Sequence, residues 1–186
     1  ENQRMEITYH VVPEDFVAFN LSYINTSPVM RKNIRTTRLV SAALILIGGC
    51  ILMDLLGLLN AAIAAAYAVL ALAVYFFTPR LMTRRVRKGV LRMLSQPQNQ
   101  NICSEKTLTV GEKQLALTGG GEDSRYEYSV VERVTEDSEH YFIYVGAMAA
   151  IIVPFRAFAA GEEKAAFYNL LCERIQQGGG KVSAQG

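Results

Sequence analysis

Histidine and cysteine are scarce, and their scarcity removes several kinds of chemistry. The chain of 186 residues has two histidines, His10 and His140, and no Cys or acidic spacing around either one matches a metal motif. Its three cysteines, Cys50, Cys103 and Cys172, are odd in number and widely spaced, with no CxxC pair. They read as unpaired thiols in a reducing, intracellular setting. Ser124, Ser129 and Ser138 stand in no nucleophile elbow. Gly119-Gly120-Gly121 lacks the Lys-Ser/Thr of a phosphate loop. Glu132, Glu136, Asp137 and Glu139 cluster, but nothing apolar enough to bury them or basic enough to pair them flanks the group, so they read as a solvated strand edge and turn. The expectation is a protein that is not an enzyme, with no catalytic residues, no metal, no cofactor and no small-molecule substrate.

Net charge is also small, at +2, but its distribution is uneven. Ten of the nineteen basic residues are Arg31, Lys32, Arg35, Arg38, Arg80, Arg84, Arg85, Arg87, Lys88 and Arg92. Beyond Gln96, twelve acidic residues face eight basic ones. A basic middle with a mildly acidic C-terminal part is a localisation signal.

Between the two basic groups lies the longest apolar stretch. Leu39 to Leu59 reads LVSAALILIGGCILMDLLGLL with Asp54 as its sole charge, and Ala61 to Thr78 reads AAIAAAYAVLALAVYFFT with none. A bilayer core needs about 20 apolar residues per helix, within a range of about 17–25. Both runs meet this, and with only Asn60 between them they predict an antiparallel transmembrane hairpin. Four bases precede the first span and six follow the second, while the turn has none; both ends are then expected on the cytoplasmic side. About forty polar and amphipathic residues come before the first span, which does not fit a cleaved signal peptide. Gly48, Gly49 and Gly57, with the alanines of the second run, suit close helix packing. Asp54 is an intramembrane polar candidate, although its place near the turn lets it reach the interface.

Ser27-Pro28 is a helix start, with Ser as N-cap and Pro at the first helical position. Pro79 is expected to bend the second helix, beyond which LMTRRVRKGVLRML continues as a basic helix. The ten bases form two collars, candidates for lipid headgroup binding as well as determinants of topology. Nucleic acid is not expected, since aromatic interleaving and a glycine-rich binding loop are absent.

The polar, Pro-containing Gln96 to Asn101 marks a boundary. Past it the apolar period becomes strand-like: LTV and QLALT around Gly111-Glu112, a loop at Gly119-Gly120-Gly121, then YEYSVVERVTE, HYFIYV and MAAIIVPF. The aromatic run Tyr141, Phe142, Tyr144 reads as core. A helix starts near Gly161, with Glu162 and Glu163 matching its dipole and Phe167, Leu170, Leu171 and Ile175 as its apolar stripe. Upstream of the hairpin, EITYHV from Glu6 to Val11 alternates as a strand, and Phe16, Phe19, Tyr23 and Ile24 share a helical face. The segments are then 5–38, strand and amphipathic helix; 39–79, hairpin; 80–96, basic juxtamembrane helix; 101–177, the cytoplasmic domain; and 178–186, a disordered tail. Residues 1–4 stand outside the pattern.

Glu6-Ile7-Thr8-Tyr9, Glu14-Asp15-Phe16 and Phe19-Asn20, followed by two adjacent spans, resemble the start of YcxB-like bacterial membrane proteins. Tyr128-Ser129 through Glu136, Tyr141 to Tyr144, and Ile151-Ile152-Val153-Pro154 before Phe158 resemble that family's C-terminal domain. One departure is that Phe155 separates Pro154 from the next base, Arg156. The resemblance implies a domain similar to bacterial pleckstrin-homology-like folds and lends no catalytic residues. The expected fold is therefore an α+β membrane protein: a two-helix transmembrane hairpin with a small pleckstrin-homology-like antiparallel sheet or roll capped by a C-terminal helix. Its expected place is the bacterial cytoplasmic (inner) membrane, with membrane lipids and a protein partner or a second copy as associates. Three functions fit: a scaffold or accessory subunit, an anionic-lipid sensor, or an ion- or proton-coupled role through Asp54.

Overall fold

The computed structural model describes residues 4–58, 60–99, 101–146 and 149–182. The chain divides into two compact units, one built from the residues up to Phe19 together with those from Val90 on, the other from Asn20–Gly89.

Among the described residues, the first, or sheet unit, holds seven strands. β1 (Met5–His10), β2 (Glu105–Val110), β3 (Gln114–Gly119) and β4 (Glu122–Glu127) form one antiparallel sheet in that order. β5 (Arg133–Glu136), β6 (His140–Tyr144) and β7 (Ala150–Pro154) form a second. β1 pairs along its whole length with β2, from Met5 opposite Val110 to His10 opposite Glu105. Period-two alternation explains why: Ile7 and Tyr9 point inward beside Leu108 and Val110, and all four are buried. A strand from before the apolar runs thus completes a sheet made after them.

The run YEYSVVERVTE, which alternation presents as one strand, is divided between β4 and β5. A 3₁₀ turn at Tyr128–Val130 carries the chain from one sheet to the other. Tyr128 fixes that turn by burying its ring and donating its hydroxyl to the carbonyl of Gly111 at 2.6 Å. Burial pushes its phenol up to about 12. β6 is buried on both faces. Phe142 and Tyr144 meet Phe19, with ring centroids 5.7 and 5.8 Å away, while Tyr141 stacks on Tyr168 at 5.2 Å.

Helix α5 (Gly161–Gln177) caps the core with Phe167, Leu170, Leu171 and Ile175, its four buried residues. Glu163 reaches back to accept from the N–H of Ala159 at 2.7 Å, closing the helix start. At the other end Gly180 donates to Ile175 and Lys181 donates to Val131, so the chain beyond Gln177 is placed as far as Val182; residues 183–186 lie outside the described residues.

In the second, or hairpin, unit, α1 (Pro13–Thr26) runs in from the sheet unit and is followed by α2 (Pro28–Ala43). The hydroxyl of Ser27 accepts from the N–H of Met30 at its start. α2 continues through a π-turn at Leu44–Gly48 into α3 (Gly49–Leu55), giving one rod over Pro28–Leu55. This helix ends four residues before the expected limit at Leu59. Gly57 adopts φ +68°, which only glycine takes without strain. Its N–H returns to the carbonyl of Asp54, and that of Leu58 to Met53, closing a Schellman cap. Gly57 is therefore a terminator; Leu59 lies outside the described residues. Asn60 caps the next helix, its Oδ1 accepting from the N–H of Ile63 at 3.0 Å. α4 (Ala61–Leu94) then runs unbroken through Pro79, joining the second span to its basic extension.

Both helices are long and apolar enough to cross a membrane, with mean hydropathies of 2.0 and 2.1 over their most apolar windows. Those windows are 0% and 6% buried within the chain, unlike the core helix of a globular protein. The rods touch where Gly49 lets the ring of Tyr67 approach: a Cβ at Gly49 would overlap Cε1 and Cδ1 of that ring. A Cβ at Gly48 would meet no other residue's atoms within 4 Å beyond its own helix backbone. Gly49→Leu is expected to destabilise the hairpin by about 1–3 kcal/mol and Gly48→Ala to leave it unchanged, read by denaturant titration in detergent. Adding Tyr67→Ala to Gly49→Leu is expected to recover most of the loss.

Candidate functional site

The spacing of Arg31, Arg35 and Arg38 places three guanidinium groups along one face of α2, with Lys32 one step round the helix. They converge on a cleft of about 660 Å³ between α2, the end of α1 and the middle of α4, in the hairpin unit. Tyr75, Pro79, Met82 and Thr83 form its α4 wall, and Leu21, Ile24 and Asn25 its α1 wall. The lining has four bases and no acid.

Pro79 explains how this wall is held. Proline has no N–H, so the carbonyl of Tyr75, four residues earlier, loses its helical donor. Arg38 supplies the replacement: its Nε donates to that carbonyl at 3.0 Å. Its guanidinium carbon also lies 4.1 Å from the Tyr75 ring centroid, a cation–π distance. Beside the proline, the hydroxyl of Thr78 bonds the carbonyl of Val74 at 2.6 Å. Pro79 thus exposes an acceptor that docks α2 on α4.

The expected ten-base collar divides here. Arg31, Lys32, Arg35 and Arg38 share the cleft, whereas Arg80, Arg84, Arg85, Arg87, Lys88 and Arg92 lie along α4 outside its lining. Asp54 is exposed in the last turn of α3, away from this cleft.

A second polar cluster lies in the sheet unit, and pattern reading missed it. Asp15, only 1% exposed, stands in the first turn of α1. One carboxylate oxygen accepts from Nε2 of His140 at 3.0 Å and from Nη1 of Arg156 at 2.9 Å. The other accepts from Nη2 of Arg156 at 2.5 Å and from the N–H of Val12 at 2.9 Å. His140 is 4% exposed, and its Nδ1 lies 3.0 and 3.2 Å from the two oxygens of Asp137. Asp137 also accepts from the His140 N–H at 2.7 Å. Burial disfavours the Asp15 charge, but the bonds from His140, Arg156 and Val12 outweigh it and hold the carboxyl well below the usual range. Burial likewise opposes the His140 cation, and the two carboxylates override it, raising its pKa above the ordinary value.

With both imidazole nitrogens occupied by carboxylates, His140 has no nitrogen left for a nucleophile or metal. Among the described residues no group of three or more His, Cys, Asp or Glu is arranged to hold a metal. Burial pushes the thiols of Cys103 and Cys172 up, away from the nucleophilic thiolate. The cluster is a lock joining α1 to β6 and to the turn after β7. Arg156 extends it by donating to the carbonyl of His10 at 2.9 Å. The available signal was the acid at the third position of α1, a capping place whose carboxylate has capacity for further donors.

No curated protein and no solved structure matches the chain. Residues 110–171, from the last residue of β2 into α5, match the family model described as YcxB-like protein, which supports a YcxB-like classification for that part of the chain.

Proposed function

We propose that this chain is a non-enzymatic, two-pass protein of the bacterial cytoplasmic membrane that presents its sheet unit for assembly with a protein partner or a second copy. The observation that carries the reading is the pairing of β1 with β2 across the hairpin. Both ends of the hairpin return to one folded unit, so an inserted hairpin tethers that unit by two connections. Seven strands in sheets of four and three, closed by a C-terminal helix, support a pleckstrin-homology-like fold for it. The basic residues on both flanks and none in the turn support cytoplasmic termini.

Topology is tested in a chain whose three native cysteines are serine and which carries one new cysteine. With Leu58→Cys, labelling of intact cells by an impermeant maleimide is expected; with Lys113→Cys, labelling only after permeabilisation. The reverse pattern overturns the orientation. For assembly, the whole chain in mild detergent is expected at a mass that includes a stoichiometric partner or second copy. A monomer of 20.6 kDa alone, at every concentration tried, overturns that part.

A further inference from the structure

We infer that the cleft between α2 and α4 is a specific site for the phosphate of an anionic lipid headgroup. The inference rests on the membrane reading and gives it a ligand. Three arginines and a lysine face one space with no acid among them, an arrangement that stores unneutralised positive charge until an anion enters. Arginine is the side chain best matched to phosphate oxygens, because its planar fork donates two parallel bonds. Arg38 is already oriented. Its Nε is taken by the Tyr75 carbonyl that Pro79 leaves open, and its guanidinium rests on the Tyr75 ring, so the Nη groups need little further ordering to meet a ligand.

What distinguishes a lipid from free phosphate is the surface beside the cleft. Immediately beyond Arg38 on α2, Leu39 and Val40 are exposed, and next to Tyr75 on α4, Phe76 and Phe77 are exposed. A phosphate seated among the arginines therefore has apolar helix surface on both sides for its acyl chains. The volume, about 660 Å³, suits one polar headgroup. The second collar offers six bases, none of which lines this cleft, which makes it the internal control.

The test uses the full chain in vesicles of phosphatidylcholine with graded phosphatidylglycerol. Insertion is scored first, in phosphatidylcholine alone, by resistance to alkaline extraction. Failure to insert overturns the membrane reading itself, an outcome distinct from insertion without lipid selectivity. For inserted protein, retention of phosphatidylglycerol over phosphatidylcholine is measured after extraction into neutral detergent, by mass spectrometry of the complex. The wild-type chain is expected to retain about one anionic lipid. Arg31→Gln with Arg35→Gln is expected to lose roughly tenfold or more in selectivity, whereas Arg84→Gln with Arg85→Gln, an equal charge change outside the cleft, is expected to lose little. Pro79→Ala, which restores a donor for the Tyr75 carbonyl, is expected to weaken retention without changing charge. Equal losses from the two arginine pairs would reduce the cleft to general surface attraction and overturn the inference. Displacement of the lipid by inorganic phosphate at equimolar concentration would overturn it in favour of a free-anion site.

Discussion

Asp15→Ala is expected to lower the stability of the sheet unit by about 3 kcal/mol or more, the cost of removing one partner from a buried ion pair. The substitution strands the buried His140 on its Asp15 side, leaves the Val12 N–H without its acceptor and leaves Arg156 with the His10 carbonyl alone. Arg156 is half exposed and can re-solvate, so most of the loss falls on His140. Asp15→Asn keeps the shape and one acceptor oxygen and is expected to recover part of the loss. Thermal unfolding of the full chain in detergent, followed through the near-ultraviolet signal of the packed tyrosines, reads the difference.

The same cluster dictates a pH profile. His140 has its folded-state pKa raised above the ordinary value near 6.5, so its stabilisation is complete below about pH 6.5 and is lost as pH rises through the folded-state value. Asp15 has its pKa depressed, so its stabilisation is present above about pH 4 and is lost only as pH falls through a value well below the usual carboxylate range. The cluster contributes most between about pH 4 and pH 6.5. Stability is expected to decline on the alkaline side of that window, and His140→Gln is expected to flatten that decline while lowering the plateau. A His140→Gln chain with the unaltered alkaline slope would place its origin elsewhere.

Periodicity exposed those parts of the fold in which one face is buried. The stripe Phe167, Leu170, Leu171, Ile175 is the buried face of α5, because an amphipathic helix on a sheet leaves little freedom in which side turns inward. The alternation from Glu6 to Val11 revealed a strand, whereas β6 and β7, buried almost throughout, were legible as runs rich in β-branched and aromatic residues. Two kinds of feature escaped. The first is chain reversal inside an apolar run: Gly57 looks like any small residue of a packed helix until its positive φ and its Schellman bonds are seen. The second is polar matching at long range. On α1 the expected face of Phe16, Phe19, Tyr23 and Ile24 is only partly buried, and the deeply buried positions are Asp15 and Val17. Hydropathy cannot nominate a carboxylate for a core, because its burial is tolerated only through His140 and Arg156, more than 120 residues away. Arg156 shows the same limit, since nothing within its own segment points to Asp15. The collar of ten bases was legible as charge, but its division into a cleft of four and a row of six depends on the helix crossing and on the carbonyl opened by Pro79.

The fragment from Asn101 onward is expected not to fold, whereas residues 5–19 joined by a Gly/Ser linker to 90–182 are expected to fold without the hairpin. The fragment lacks β1, so it forfeits burial of Ile7, Tyr9 and Val11 and leaves the edge of β2 unpaired. Each such side chain contributes about 1.5–3 kcal/mol on burial. Three of them together amount to roughly the whole net stability of a small domain, about 5–15 kcal/mol. The fragment also lacks Asp15, leaving His140 with Asp137 alone, and Phe19, whose ring covers Phe142 and Tyr144. Joining 5–19 to 90–182 returns all of these, together with the buried Val90 and Leu94 at the end of α4. Amide-proton dispersion and a cooperative unfolding transition measure both proteins. If the shorter fragment folds alone, β1 is dispensable and the two-point tether loses its basis. If it fails while the joined chain folds, the hairpin stands as an insertion into a single domain, whose folding requires the chain on both sides of the hairpin.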